Sequence, residues 1–126
     1  MSYDIFLQRF KAGESVDGGA EEAQAILAAY IVGAPDGGYA RLRLSDGEAD
    51  VYGLGEDSLM VNETSGEQIW QVIVDVARAS GQVILPLGGR TCVLDESMLA
   101  ELPDFLRIGV MVVTSGPELL AALRSG

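Results

Sequence analysis

From Tyr39 to Leu44 apolar and polar residues alternate without a break: Ala40, Leu42 and Leu44 fall on one side, Tyr39, Arg41 and Arg43 on the other. Successive side chains of a strand point to opposite faces, so this period specifies a strand with one buried side. Asp46-Gly47 then offers a dipeptide suited to the positive φ angles of a tight hairpin turn. Glu48 to Leu54 is expected to return as the partner strand, and a second turn at Gly55-Glu56-Asp57 to lead into a short strand, Leu59 to Val61. Strands joined this closely pair antiparallel, because a parallel crossover needs about a dozen residues or more. An antiparallel meander therefore constrains everything around it.

Tyr3 to Phe10 reads as a strand with apolar residues on both sides, hence a central one, with Tyr3, Ile5 and Leu7 sharing a face. Lys11 to Gly19 is a polar connection, and Asp17 is placed to cap the helix after it. In that helix Ala23, Ile26, Leu27, Tyr30 and Ile31 form one stripe, which Gly33 and Pro35 should end. Thr64-Ser65-Gly66-Glu67 has the spacing of a capping box. A helix is expected from there to Ser80, with Ile69, Val72, Ile73 and Val76 inward, Trp70 on a flank and Gly81 as its stop. Val83 to Leu87 reads as a buried strand, and Gly88-Gly89 as a turn into Thr91 to Leu94. Asp95 can cap a modest helix through Leu106, and Val110 to Thr114 reads as another strand. Ser115-Gly116-Pro117-Glu118 opens a last helix with a second capping box.

This order predicts an α+β fold: a two-layer sandwich with a mostly antiparallel sheet and helices packed on it. The first portion permits a ferredoxin-like core, although periodicity leaves strand order open. The 126 residues contain no repeat and no long linker, so residues 1–126 are expected to form a single domain. The opening Met1-Ser2-Tyr3-Asp4 lacks a basic leader segment and does not read as a signal peptide. The longest apolar run, Ala25 to Ala34, covers ten residues. A membrane-crossing helix needs about 20.

The residues that most catalysis depends on are few. There is no histidine, which removes Ser-His-Asp and Cys-His mechanisms and the commonest transition-metal ligand. One cysteine, Cys92, allows neither an intrachain disulfide nor a cysteine-based zinc site, and it suits a reducing cytoplasmic setting. Cys92 lies beside Val93 and Leu94, where a buried, inert thiol is the ordinary outcome. Lys11 is the only lysine, and no phosphate-binding glycine loop surrounds it. Gly53-Leu54-Gly55 is followed by acids and reads as a turn. Asp46, Glu48 and Asp50 superficially suggest a calcium loop, but Val51 stands where such a loop needs glycine. Asp95 and Glu96 are more simply a cap and a first-turn acid than a catalytic pair. No catalytic, cofactor or metal residue is therefore expected.

What stands out is charge. The formal net charge is −11, and from Leu44 to Ala77 there is no Lys or Arg while eight acids occur. Such a chain is repelled by nucleic acid and by anionic membranes, and attracted to basic proteins. Asp46, Glu48, Asp50, Glu56, Asp57, Glu63 and Glu67 are the candidate partner-binding acids, with Tyr52 as an aromatic anchor. A merely solvated acidic surface would give the same pattern.

The opening Met1-Ser2-Tyr3-Asp4-Ile5-Phe6-Leu7 resembles the start shared by many small bacterial proteins, some of them immunity proteins encoded beside polymorphic toxins. Trp70 in a Val/Ile-rich helix, followed by Val83-Ile84-Leu85-Pro86, resembles proteins of actinobacteria. The resemblance implies a non-enzymatic binding role and transfers no catalytic residue. The leading expectation is thus a cytoplasmic protein of the immunity or inhibitor type that occludes a basic partner, such as a toxin, and needs no cofactor. The rival expectations are a housekeeping domain that oligomerises through apolar strand faces and a small-ligand binder or enzyme with a carboxylate pocket.

Overall fold

A computed structural model describes residues 3–125; Met1 and Ser2, which open the resemblance noted above, lie outside the described residues. The elements in chain order are β1 (Ile5–Lys11), β2 (Glu14–Val16), α1 (Ala20–Leu27), β3 (Ile31–Asp36), β4 (Tyr39–Arg43), β5 (Glu48–Tyr52), β6 (Leu59–Asn62), α2 (Gln68–Ser80), β7 (Val83–Pro86), β8 (Cys92–Val93), β9 (Met111–Val112) and α3 (Gly116–Ser125). The sheet runs β3-β4-β5-β6-β1-β7-β8-β9, with β2 paired to β1. Every pairing is antiparallel except β8 with β9. β1 is central, seated between β6 and β7 and antiparallel to both. Without the short strand β2 and the β3–β4 hairpin, the elements β1-α1-β5-β6-α2-β7 follow the βαββαβ order, with β1 between the two strands that flank α2: the connectivity of a ferredoxin-like core.

Alternation explains which side is buried. Ile5, Leu7, Ala40, Leu42, Ala49, Val51, Leu59 and Val61 point to one side, where Ala23, Leu27, Ile69, Val72, Ile73, Val76 and Leu119 of the three helices meet them in one core. On the other side a smaller core of Val83, Val93 and Leu102 packs beneath the segment after β8. That segment covers only the β1-β7-β8 half. The remainder of this side, across β4, β5 and β6, carries no helix.

Several local expectations are corrected. The first helix stops at Leu27, and Ile31, Gly33 and Pro35 lie in edge strand β3, where Ile31 pairs with Leu42 and Val32 with Arg41. A proline is tolerated there because an edge strand leaves one side of its backbone unpaired. Asp17 does not cap α1; Gly19 holds the N-cap position at φ 90° with no side-chain cap. A Cβ on Gly19 would stand 2.6 Å from the Ser80 carbonyl oxygen, so close packing against the end of α2 selects glycine there. The Lys11 to Gly19 connection contains β2, and the β1–β2 turn uses Ala12 and Gly13, both at positive φ.

Asp46 and Gly47 adopt no positive φ; the β4–β5 connection is a wider loop closed by the Leu44 N–H donating to the Gly47 carbonyl at 2.8 Å. Residues 95–106 form two short 3₁₀ helices, Glu96–Glu101 and Asp104–Leu106, because Pro103 supplies no N–H to continue a helix. Asp95 does cap the first, accepting from the Ser97 N–H at 2.8 Å. The Ser115 hydroxyl caps α3 by accepting from the Glu118 N–H at 3.3 Å, while the Glu118 carboxylate accepts from Thr114 rather than Ser115.

Candidate partner-binding surface

The expected capping box at the start of α2 is replaced by a longer-range device. Gly66 turns the chain at φ 80°, so that Glu67 itself becomes the N-cap and the Thr64–Glu67 spacing falls one turn short. Two N–H groups at the start of α2 are met by Asp46 from the β4–β5 loop, whose carboxylate accepts from Glu67 N–H at 2.7 Å and from Gln68 N–H at 3.3 Å. In return the Gln68 side-chain oxygen accepts from the Ser45 N–H at 2.6 Å. Asp46 is thus a structural cap. Asp46→Ala is expected to cost about 0.5–2 kcal/mol, while Thr64→Ala should fall within about 0.5 kcal/mol of the parent. Urea unfolding of the two variants measures this difference, and a larger loss at Thr64 would contradict the cap assignment.

On the helix-free side, cross-strand register assembles a charged network. Arg41 stands opposite Asp50, and Arg43 opposite Glu48. Arg41 donates to Asp50 at 2.9 Å and also bonds Glu48. The Tyr39 hydroxyl donates to Asp50 at 2.8 Å. Burial pushes the Asp50 carboxyl up, but the hydrogen bonds from Arg41 and Tyr39 outweigh it and hold the group below its ordinary value. The hydrogen bond from Arg41 likewise lowers Glu48, and the bond to Asp50 raises the Tyr39 phenol. Two of the candidate acids are therefore answered by cations.

Tyr52, 40% exposed, packs on Tyr39 with ring centroids 5.2 Å apart. The register continues the line: Tyr52 faces Met60, Met60 faces Phe6, and Phe6 faces Leu85. Alternation in the central strand β1 gave the signal for Phe6, which the charge pattern alone did not pick out.

The remaining acids divide between the two ends of β5. Asp46, Glu63 and Glu67 lie at the end where α2 begins, and Glu56 and Asp57 at the other, separated by a five-residue strand. At roughly 3.3 Å per residue that strand alone spans about 17 Å, so the eight residues do not form one compact patch. Asp57 accepts from the Gly18 N–H at 3.0 Å. Glu56, Glu63 and Glu67 are exposed.

Cys92 is fully buried, and burial pushes its thiol up to about 11 although Arg90 acts in the opposite sense. That is an unreactive setting. Among the described residues no three His, Cys, Asp or Glu side chains gather as a metal site, and no helix is long and apolar enough to cross a membrane. Compared with family models, curated proteins and solved structures, the chain matches none.

Proposed function

We propose that this chain is a non-enzymatic, protein-binding protein of the immunity or inhibitor type, acting in the cytoplasm to neutralise a basic protein partner. The observation that carries the reading is Tyr52, 40% exposed and held against Tyr39 on the uncovered side of the sheet, at the strand end that leads to Glu56. Tyrosine is enriched among interface hot spots, and a ring already packed on a neighbour loses little freedom on binding. Glu56, Glu63 and Glu67 supply the steering charge, because Asp46 is engaged as a cap and Arg41 and Arg43 offset Glu48 and Asp50. A net charge of −11 disfavours nucleic acid and anionic membranes as partners.

A basic protein captured at low salt from the source cell is the required starting point. Its association rate should fall as the Debye length shortens from about 30 Å at 0.01 M to about 10 Å at 0.1 M salt. Reversing Glu56, Glu63 and Glu67 should slow association more than reversing Asp4, Glu118 and Asp104. Tyr52→Ala should weaken the complex about 30-fold through faster dissociation. Equal effects of the two charge sets would reduce the acidic surface to its net charge, and an unchanged dissociation rate for Tyr52→Ala would remove the anchor. If no basic protein is recovered at any salt, the reading fails.

A further inference from the structure

The exposed large hydrophobic side chains among the described residues are Phe6, Val32, Tyr52, Leu87, Phe105, Ile108 and Val112. None belongs to a helix of the core layer. Phe6, Val32 and Tyr52 stand opposite Met60, Arg41 and Met60 on the side away from the three core helices, and Val112 stands opposite Val93 of the smaller core. Phe105 and Ile108 belong to the segment that covers that same side. Scattered exposed apolar residues need no explanation, but their segregation to one side does.

Four of them gather at one place. Phe6 and Leu87 border a depression with Leu85, Pro86 and Leu106, left open by Gly88-Gly89, which bring no side chains. Phe105 and Ile108, 73% and 84% exposed, belong to the same loop as Leu106, which lines it. Their loop is tied to the β7–β8 turn by Arg90 donating to the Gly109 carbonyl at 2.7 Å and by Met111 N–H donating to Thr91 at 2.9 Å. An apolar ridge and an apolar hollow therefore lie side by side on a single patch.

We infer that this patch is the contact between two copies of the chain, the Phe105–Ile108 ridge of each entering the Phe6–Leu87 hollow of the other about a two-fold axis. A two-fold contact requires a patch complementary to itself, and an adjoining ridge and hollow meet that requirement. Charge points to the same place. The chain carries 19 acids against 8 cations, so two copies repel over most of their surface. The described residues that line the hollow include no charged side chain. The alternative of sheet extension is opposed at both edges: β3 contains Pro35 and a break in register, and β9 has two residues. At typical side-chain areas the four residues supply roughly 400–500 Å² per copy, about half of the ~800 Å² in a standard interface. The balance falls to neighbouring rim residues, and a dimer in the micromolar range is the expected result. None of the residues that carry the partner reading is among the four that carry this contact.

Sedimentation velocity from about 2 µM to about 500 µM should show the 13.3 kDa chain rising to a plateau at twice that mass, as mass action requires. Ile108→Asp and Leu87→Asp should each weaken the dimer about 30-fold or more and hold the chain at monomer mass through most of that range. Because both side chains are in solvent in the single copy, the unfolding midpoints of dilute samples should not move, which separates lost contact from lost folding. Val32→Asp, on the β3 edge, should leave the dimer intact. A wild-type chain that stays monomeric throughout, a mass that climbs without a plateau, or a dimer indifferent to Ile108→Asp and Leu87→Asp would each overturn the inference.

Discussion

Ile73→Ala is expected to lower the free energy of unfolding by about 2–5 kcal/mol, a large share of the roughly 5–15 kcal/mol that holds a domain of this kind folded. Ile73 is 2% exposed at the middle of α2, the helix that packs against α1 on one flank and α3 on the other. The core it belongs to draws on both layers, with Ile69, Val72 and Val76 from the helix and Ile5 and Val61 from the strands. Truncation removes three carbons from water-free surroundings and leaves a void, because the sheet on one side and two helices on the others limit collapse. The backbone effect of alanine in a helix is favourable, so the whole loss reports packing. Urea unfolding should show a lower midpoint with an unchanged slope. Ile26→Ala on the half-buried face of α1 should cost clearly less. If the two variants lose the same amount, or Ile73→Ala loses less than about 1 kcal/mol, α2 is not the keystone of the core.

Where one strong local pattern coincided with burial, the sequence was readable. The strict alternation of β4, the stripe of Ile69, Val72, Ile73 and Val76, and the stop at Gly81 all recur in the structure. So does the mostly antiparallel sheet with helices packed on it, since close turns leave few other ways to pair those strands. α1 ends at Leu27 although Tyr30 and Ile31 continue its helical spacing. What decides their conformation is pairing with β4, a contact made some ten residues further along the chain. The cap of α2 differs from the local pattern for a related reason: Asp46 comes from 21 residues before Glu67, and no local window contains both.

The acidic surface shows the same limit in charge rather than in conformation. Counting along the chain, the stretch from Leu44 has no cation, yet Arg41 and Arg43 lie just before it. The hairpin folds them back across β5 onto Glu48 and Asp50. A linear run of acids therefore becomes two acidic ends and a balanced centre, and the surface suited to a basic partner is smaller than the run suggests. Tyr52 is exposed, on the side opposite to Val51 that strand alternation assigns it.

Gly47→Ala is expected to cost about 2–4 kcal/mol, from overpacking of about 1–3 kcal/mol together with some loss of the Asp46 cap. The φ angle of Gly47 is not in the left-handed region, so alanine meets no torsional obstacle there. The obstacle is contact: a Cβ would stand 2.0 Å from the Ser65 carbonyl oxygen and 2.4 Å from its carbon. Those atoms are backbone and cannot swing aside. The loop would have to lift from residues 64–66, breaking the 2.9 Å bonds that Ser65 shares with Glu48 and drawing the Asp46 carboxylate off the first turn of α2. Gly55→Ala is the informative comparison, since Gly55 has φ 83° and open space around its Cα. That substitution should cost only the torsional penalty of about 1–2 kcal/mol. Combining Gly47→Ala with Asp46→Ala tests the mechanism further. The double variant should lose less than the sum of the two, because a lifted loop has already surrendered the cap. Full additivity would mean that the loop stays down and the helix start does not depend on it.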